Sequence, residues 1–280
     1  MVIGLAAVIA LGILLWLVSL AVRDSSIVDI AWGPLILLIG VTYYLAIAEP
    51  GLRAHLMLTL VALWAVRLAV HIGARNLGHG EDFRYAAWRA QHPDTWWIRS
   101  YFKVFLLQGV IAWIVAMPLY YAITGAARSD PSALLITTTV GSDPSALLAR
   151  GQTPFGWWDY AGIAVFVFGF LFEAIGDEQL RRFKANPANT GRVMDTGLWR
   201  YTRHPNYFGE SVLWWGLGLI GVAAGGWLGL AGPAIITFLL IRVSGVAMLE
   251  KTLKTTKPGY AEYIARTPAF FPRAPRSRAS

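Results

Sequence analysis

The stretch "IGLAAVIALGILLWLVSLAV", residues 3–22, carries no charged side chain, and its reading decides what kind of molecule this is. As a helix, twenty such residues are about 30 Å long, the thickness of a bilayer's hydrocarbon core. A secretory signal would need a basic flank ahead of the run and a small-x-small cleavage site. Neither occurs before Arg23, so the segment is expected to be retained as a membrane helix.

The rest of the chain belongs in the same solvent. Hydrophobic residues make up 56% and charged residues 14%, with a mean hydropathy of +0.52, too little polar surface to coat a soluble globule of 280 residues. Tryptophan occurs 13 times, as expected where amphipathic rings collect at the headgroup level. There is no cysteine, so disulfides, zinc-thiolate sites and cysteine nucleophiles are excluded, and no metal centre is expected. Further apolar runs at about 30–48, 56–74, 103–123, 159–176, 208–225 and 231–249 predict an all-α integral membrane protein with seven transmembrane helices.

Lysine and arginine orient the spans. With the N-terminus outside, the cytoplasmic loops gather Arg75, Arg84, Arg89, Arg99 and Lys103, then the cations of 181–203, then the basic tail from Lys251. The outside loops hold only Arg53, Arg128 and Arg150, so the C-terminus is expected to be cytoplasmic. This bias accounts for the net charge of +8 without a nucleic acid partner. The expected organisation is one transmembrane domain over 1–280, with halves 1–123 and 159–280 joined by an outside loop, 124–158. That loop repeats "SDPSALL" at 129–135 and 142–148, a tandem duplication devoid of catalytic residue types.

Polar groups inside the spans are the first functional lead, because a charge near mid-bilayer persists only when paired or bathed in a cavity. Asp29 opens the second run in "SIVDIAWGP", Arg67 and His71 share a face of the third, Gln108 lies in the fourth, Glu173 in the fifth and Arg242 in the seventh. Asp29 can also be read as a helix cap. Six such groups over five helices imply a polar-lined cavity.

The second lead is "DTGLWRYTRHPNYFGE", residues 195–210. Asp177, Arg181 and Lys184 recur at helical spacing before it, and Arg192, Arg200 and Arg203 follow. Clustered guanidiniums suit phosphate, whereas a basic loop that only touched anionic lipid would have no need of Asp177, Asp195, Asn206 and Glu210 among Trp199, Tyr201 and Tyr207. Together these residue types suit a nucleotide. No GxGxxG motif follows a strand, so any dinucleotide would be held by the helices themselves.

These residues, with "LIRVSGVAMLEKTLKTTKPGYAEYIARTPAFFP" downstream and "SIVDIAWGP", "LWAVRLAVHIGARNLGHGEDFRYAAWR" and "YFKVFLLQG" upstream, resemble the steroid 5-alpha-reductase family in its bacterial branch, catalogued as a domain of unknown function. The resemblance covers nearly the whole chain except loop 124–158, and "RHPNY" also occurs in sterol reductases and isoprenylcysteine methyltransferases. It implies a seven-helix reductase that uses NADPH to saturate the C4–C5 double bond of a 3-oxo-Δ4 steroid. Such a reaction needs a polariser at the carbonyl, a dry apolar pocket and a fixed nicotinamide.

By the same resemblance, Asp29 stands where the family has a glutamate that serves the carbonyl, and Trp64 where it has a tyrosine. Trp32 and Gln108 join Asp29 and Trp64 as substrate contacts, and Tyr85, Tyr101 or a water held by Gln108 supply the proton. Cofactor residues carried over are Arg67, Asp177, Lys184, Asn206, Arg242, Glu250 and Tyr260, with Arg181, Arg192, Trp199, Tyr201, Arg203, His204 and Tyr207 completing the cradle. The excess of arginine favours NADPH over NADH. A multi-pass integral membrane protein is expected, of the inner membrane if its source is bacterial, acting as a monomer on a hydrophobic enone amid lipid. An S-adenosylmethionine-dependent methyltransferase of the isoprenylcysteine type and a transporter are the rival readings.

Overall fold

The computed structural model describes residues 1–125, 155–243 and 245–274; the SDPSALL duplication lies outside them. Among the described residues the structure is all helical, without strands. The longer elements are α1 (Val2–Val22), α2 (Ile27–Leu45), α3 (Leu52–Asn76), a short α4 (Phe83–Gln91), α5 (Trp96–Val115), α6 (Met117–Thr124), α7 (Trp157–Ala185), α8 (Pro205–Ala223), α9 (Ala231–Phe238), α10 (Val246–Thr256) and α11 (Tyr260–Arg266). π-helical turns interrupt α5 at Tyr101–Leu106 and follow α9 at Leu239–Val243. The apolar run expected at 103–123 divides between α5 and α6 because Pro118, which has no amide hydrogen to donate, sits in the first turn of α6.

Among the described residues six helices are long and apolar enough to cross a membrane: α1, α2, α3, α5, α7 and the segment Trp227–Thr256. Their outward faces stay greasy. Leu63, Val66 and Val70 on α3, and Phe168, Leu171 and Ile175 on α7, are exposed at the i, i+3, i+7 spacing of one helical stripe. Such stripes are what a multi-pass membrane protein presents to lipid. The run expected at 208–225 folds as α8, whose first two turns contain Asn206, Tyr207, Glu210 and Ser211 and lower its hydropathy. Trp215 is the exposed residue of α8, which otherwise lies buried or half-buried among protein.

The chain forms two compact units, Met1–Gly156 with Ile220–Ala231 and Trp157–Leu219 with Gly232–Ser280. In the first, α2 lies so close on α3 that a Cβ at Gly33 would stand 2.9 Å from the Ala65 Cα. Small residues permit such approach where apolar lipid supplies no hydrophobic drive between helices. The inner face of α3 is Met57, Val61, Trp64, Ala65 and Leu68, again at helical spacing. In the second unit α7 and α8 cross through glycines. A Cβ at Gly169 would meet Leu213, one at Gly209 would meet Glu173 and one at Gly216 would meet Phe166, backbone against backbone in each case. Gly162, Gly169 and Gly176 recur every seven residues, two helical turns, and so lie along one seam.

Candidate active site

In the first unit the turn between α1 and α2 is knitted to the loop that precedes α4. The Ser25 amide donates to Glu81 Oε1 at 2.7 Å, the Asp82 amide donates to Ser26 Oγ at 3.3 Å, and Trp96 Nε1 donates to Ser25 Oγ at 3.3 Å. Arg89 holds Glu81 through two bonds of 2.8 and 2.9 Å. Burial raises the Glu81 pKa, and the Arg89 and Ser25 hydrogen bonds overcome that and hold it below the usual range. Asp82 caps α4, accepting from the Arg84 amide at 3.0 Å and from Arg84 Nε at 2.8 Å.

This frame aims α4 at Asp29. Arg84 reaches Asp29 Oδ2 at 2.6 Å and the Tyr85 hydroxyl donates to Asp29 Oδ1 at 2.7 Å. Behind it, Gln108 Nε2 on α5 donates to the Tyr85 oxygen at 3.3 Å. Asp29 is therefore an acceptor held by a guanidinium and a phenol, and its carboxylate faces these side chains instead of capping α2. Burial lowers the Arg84 pKa, but Asp82 and Asp29 more than offset it and keep the guanidinium charged. Burial and the Asp29 carboxylate push the Tyr85 phenol well above its usual range, so it stays neutral at physiological pH. A carbonyl oxygen entering this group would meet the second N–H of Gln108 and, on rotation of one hydroxyl, the Tyr85 proton.

Other residues expected at the substrate lie around this group in different ways. Trp32 is half-buried one turn beyond Asp29, and Trp64 is fully buried on α3. Tyr101 packs its ring against Trp16 and Phe102, with centroids 5.3 and 5.0 Å apart, and makes no hydrogen bond to Asp29. Of the three proton sources left open by the sequence, Tyr85 is the one bonded to the acid.

In the second unit Asn206, at the start of α8, donates through Nδ2 to Asp177 Oδ1 on α7 at 3.1 Å. Its Oδ1 is buried and has no hydrogen-bond partner among the described residues. The Gly176 backbone sits against Pro205 and Asn206, which presses these two helices together beside the amide. An unsatisfied buried acceptor with an anchored amide nitrogen fits a ligand N–H, such as a carboxamide or an amino group.

The expected basic cradle divides. Arg181 is exposed and bonded to Glu178 at 2.6 and 2.8 Å, and Arg182 binds the same carboxylate. Arg203 is buried and committed to protein: to Glu250 at 2.7 Å through Nε, and to the carbonyls of Ile264 and Thr267. His204 stacks on Tyr207, rings 5.5 Å apart, with Nε2 3.4 Å from Glu250. Burial holds its pKa below the usual 6.5 against the pull of Glu250. Trp199 Nε1 donates to the Gly176 carbonyl at 3.0 Å, and the Trp199 carbonyl accepts from the Tyr263 hydroxyl. Tyr260 is buried, with its pKa pushed up to about 12 by burial and by Glu250. Tyr201, Lys184, Arg192 and Arg242 are exposed, and Arg67 is half-buried on α3 in the first unit. For a dinucleotide the donor set thus fits in part: Asn206 offers an acceptor, and Arg192 and Arg242 are exposed cations that could meet a phosphate.

The residues that sequence reasoning passed over are Arg84, Glu81 and Ser25. Arg84 reads as one more cation of a cytoplasmic loop. The signal that sets it apart is "EDF" just before it, an acid at a helix N-cap two residues from an arginine.

Comparison with known proteins supports a membrane family. The chain is 28% identical to an uncharacterized protein of Schizosaccharomyces pombe, across 97% of this chain and 79% of that one. It is 29% identical to a probable O-methyltransferase of Ustilaginoidea virens over 45% of this chain and 39% of that one. No solved structure matches. With residues 15–267 matched by its profile, the chain belongs to the family described as "Protein of unknown function (DUF1295)", within the steroid 5-alpha-reductase and isoprenylcysteine methyltransferase-like membrane superfamily.

Proposed function

We propose that the protein is an NADPH-dependent reductase of a hydrophobic enone, with 3-oxo-Δ4 steroids as the first substrates to test. The observation that supports this reading best is the chain Gln108–Tyr85–Asp29, a neutral phenol held between an amide and a carboxylate at the end of a membrane-spanning helix. When bound, NADPH supplies the hydride to the enone β-carbon. Gln108 and Tyr85 orient and polarise the carbonyl oxygen, where negative charge develops; the Tyr85 hydroxyl gives its proton to the α-carbon and takes a replacement from solvent, while Asp29 and Arg84 hold its ring in place. Asn206, Asp177, Arg192 and Arg242 are the residues that would hold the cofactor. In this reading α1–α5 hold substrate and α7–α11 hold cofactor. Helix α8 is the seventh crossing, with the N-terminus outside and the C-terminus cytoplasmic.

A second reading, methyl transfer from S-adenosylmethionine, is favoured by two observations. One is the partial likeness to a probable O-methyltransferase. The other is that Arg181 and Arg203 are spent on Glu178 and Glu250, which leaves fewer cations for phosphates. Thermal unfolding of the purified protein separates the readings, since a ligand at a hundred times its dissociation constant stabilises by about 2.7 kcal/mol. NADPH is expected to raise the unfolding temperature and to be oxidised when testosterone or progesterone is added; Asn206→Ala removes both effects. Stabilisation by S-adenosylmethionine alone, or full turnover by Asn206→Ala, sinks the reductase assignment.

A further inference from the structure

On the outer side of the frame that carries the Asp29 group, the first turns of α5 and the end of α4 line an open groove of about 570 Å³. His92, Arg99 and Lys103 line it together with Trp96, Ile98 and Phe102, and no carboxylate is among its lining residues. Arg99 and Lys103 are four apart on a helix and so stand over the same face. Arg99 Nε is held by Thr95 Oγ1 at 2.9 Å, which fixes the guanidinium while leaving its outer nitrogens without a carboxylate among the described residues. Lys103 Nζ sits 3.8 Å from the centroid of the Trp88 ring, an aromatic support that leaves its charge uncompensated. Both cations belong to the opening turns of a helix long and apolar enough to cross a membrane, and Trp97 and Phe102 are exposed beside them. Two cations above an aromatic and aliphatic floor, at the start of a helix apolar enough to span, match a lipid: phosphate to the cations, glycerol and upper acyl chain to Ile98 and Phe102.

We propose that this groove is a binding site for the phosphate headgroup of an anionic phospholipid. The site is independent of the catalytic reading and needs neither substrate nor cofactor. Its chemistry is phosphate recognition, and the apolar floor commits it to a lipid over a free anion.

The test uses the full-length protein in nonionic detergent, with unfolding temperature followed as phosphatidylglycerol, phosphatidylcholine or inorganic phosphate is added. Phosphatidylglycerol is expected to stabilise, and the other two are not. Arg99→Gln and Lys103→Gln should each raise the phosphatidylglycerol needed for the half-maximal shift by about fivefold, the worth of one cation at an anionic membrane surface. Arg99→Lys should keep most of the response. Arg23→Gln removes a cation near the end of α1, outside the groove lining, and should leave it intact. No response to phosphatidylglycerol, an equal response to phosphatidylcholine or phosphate, or an equal loss in Arg23→Gln overturns the site.

Discussion

The Asp29 region and the Arg203 region are built from the same kinds of group, arginine, carboxylate and tyrosine, yet they spend them differently. Around Asp29, side chains from α2, α4 and α5 bond to one another, and the chain ends at a Gln108 amide with an N–H to spare. Around Arg203 the polar groups go mainly to backbone. Arg203 takes the Ile264 and Thr267 carbonyls, Thr202 takes those of Ala269 and Phe270, Tyr263 takes that of Trp199, and the Arg203 amide takes that of Pro268. Bonds from side chain to side chain can be remade around a ligand. Bonds from side chain to distant backbone strap one segment to another, and here they bind the α7–α8 connection to α11 and the residues after it. A motif as basic and aromatic as "RYTRHPNY" therefore serves the fold through Thr202 and Arg203, while Asn206 keeps a buried amide oxygen without a hydrogen-bond partner among the described residues.

The widest gap between the two regions should appear on removing one charge from each. Arg203→Ala leaves Glu250 without its buried partner and is expected to cost about 3–5 kcal/mol, read as loss of folded, monodisperse protein. If Arg203→Ala folds normally and loses only ligand binding, the structural reading of this arginine fails. In the Asp29 region the fold should survive and the chemistry should not. Tyr85→Phe keeps the ring but not the hydroxyl, so an NADPH-dependent turnover should fall by about a hundredfold or more at unchanged unfolding temperature. A loss confined to KM would make Tyr85 a binding group only.

A smaller effect concerns pH. Burial depresses the His204 pKa, so below the usual 6.5 the unfolded chain binds the proton more readily than the folded one. Stability is then full above about pH 6.5 and declines as pH falls from there toward the folded value. His204→Gln should flatten this decline in a thermal melt series, and an unchanged slope would assign the pH dependence to another group. Smallest of all is Arg181→Gln. Its pair with Glu178 is exposed and screened by solvent, so the unfolding temperature should hardly change. If the variant also keeps wild-type cofactor affinity, Arg181 has no part in a phosphate site.

Much of the helical layout was legible in advance, since the runs at 30–48, 56–74, 159–176 and 231–249 fall on α2, α3, α7 and the segment Trp227–Thr256. The run at 103–123 was read as one helix although Pro118 marks its break. Of the polar groups inside the apolar runs, Asp29 and Gln108 meet through Tyr85, and of the acids and amides in the basic stretch, Asp177 and Asn206 bond to each other. Arg84 was not singled out, because a loop arginine is the expected sign of orientation and nothing local says which one turns inward.

The sequence by itself determined the apolar character of this protein and most of its long helices. Runs of about twenty apolar residues, helix-spaced stripes and the glycine recurrence at 162, 169 and 176 are local regularities, and local regularities are what backbone hydrogen bonding and burial respond to. The tertiary structure decided which charges meet. Arg84 and Tyr85 reach an acid 55 and 56 residues away, and Arg203 reaches one 47 residues away. An ion's partner is whatever opposite charge the packed helices carry within about 4 Å, and that distance is set by how helices cross rather than by spacing along the chain.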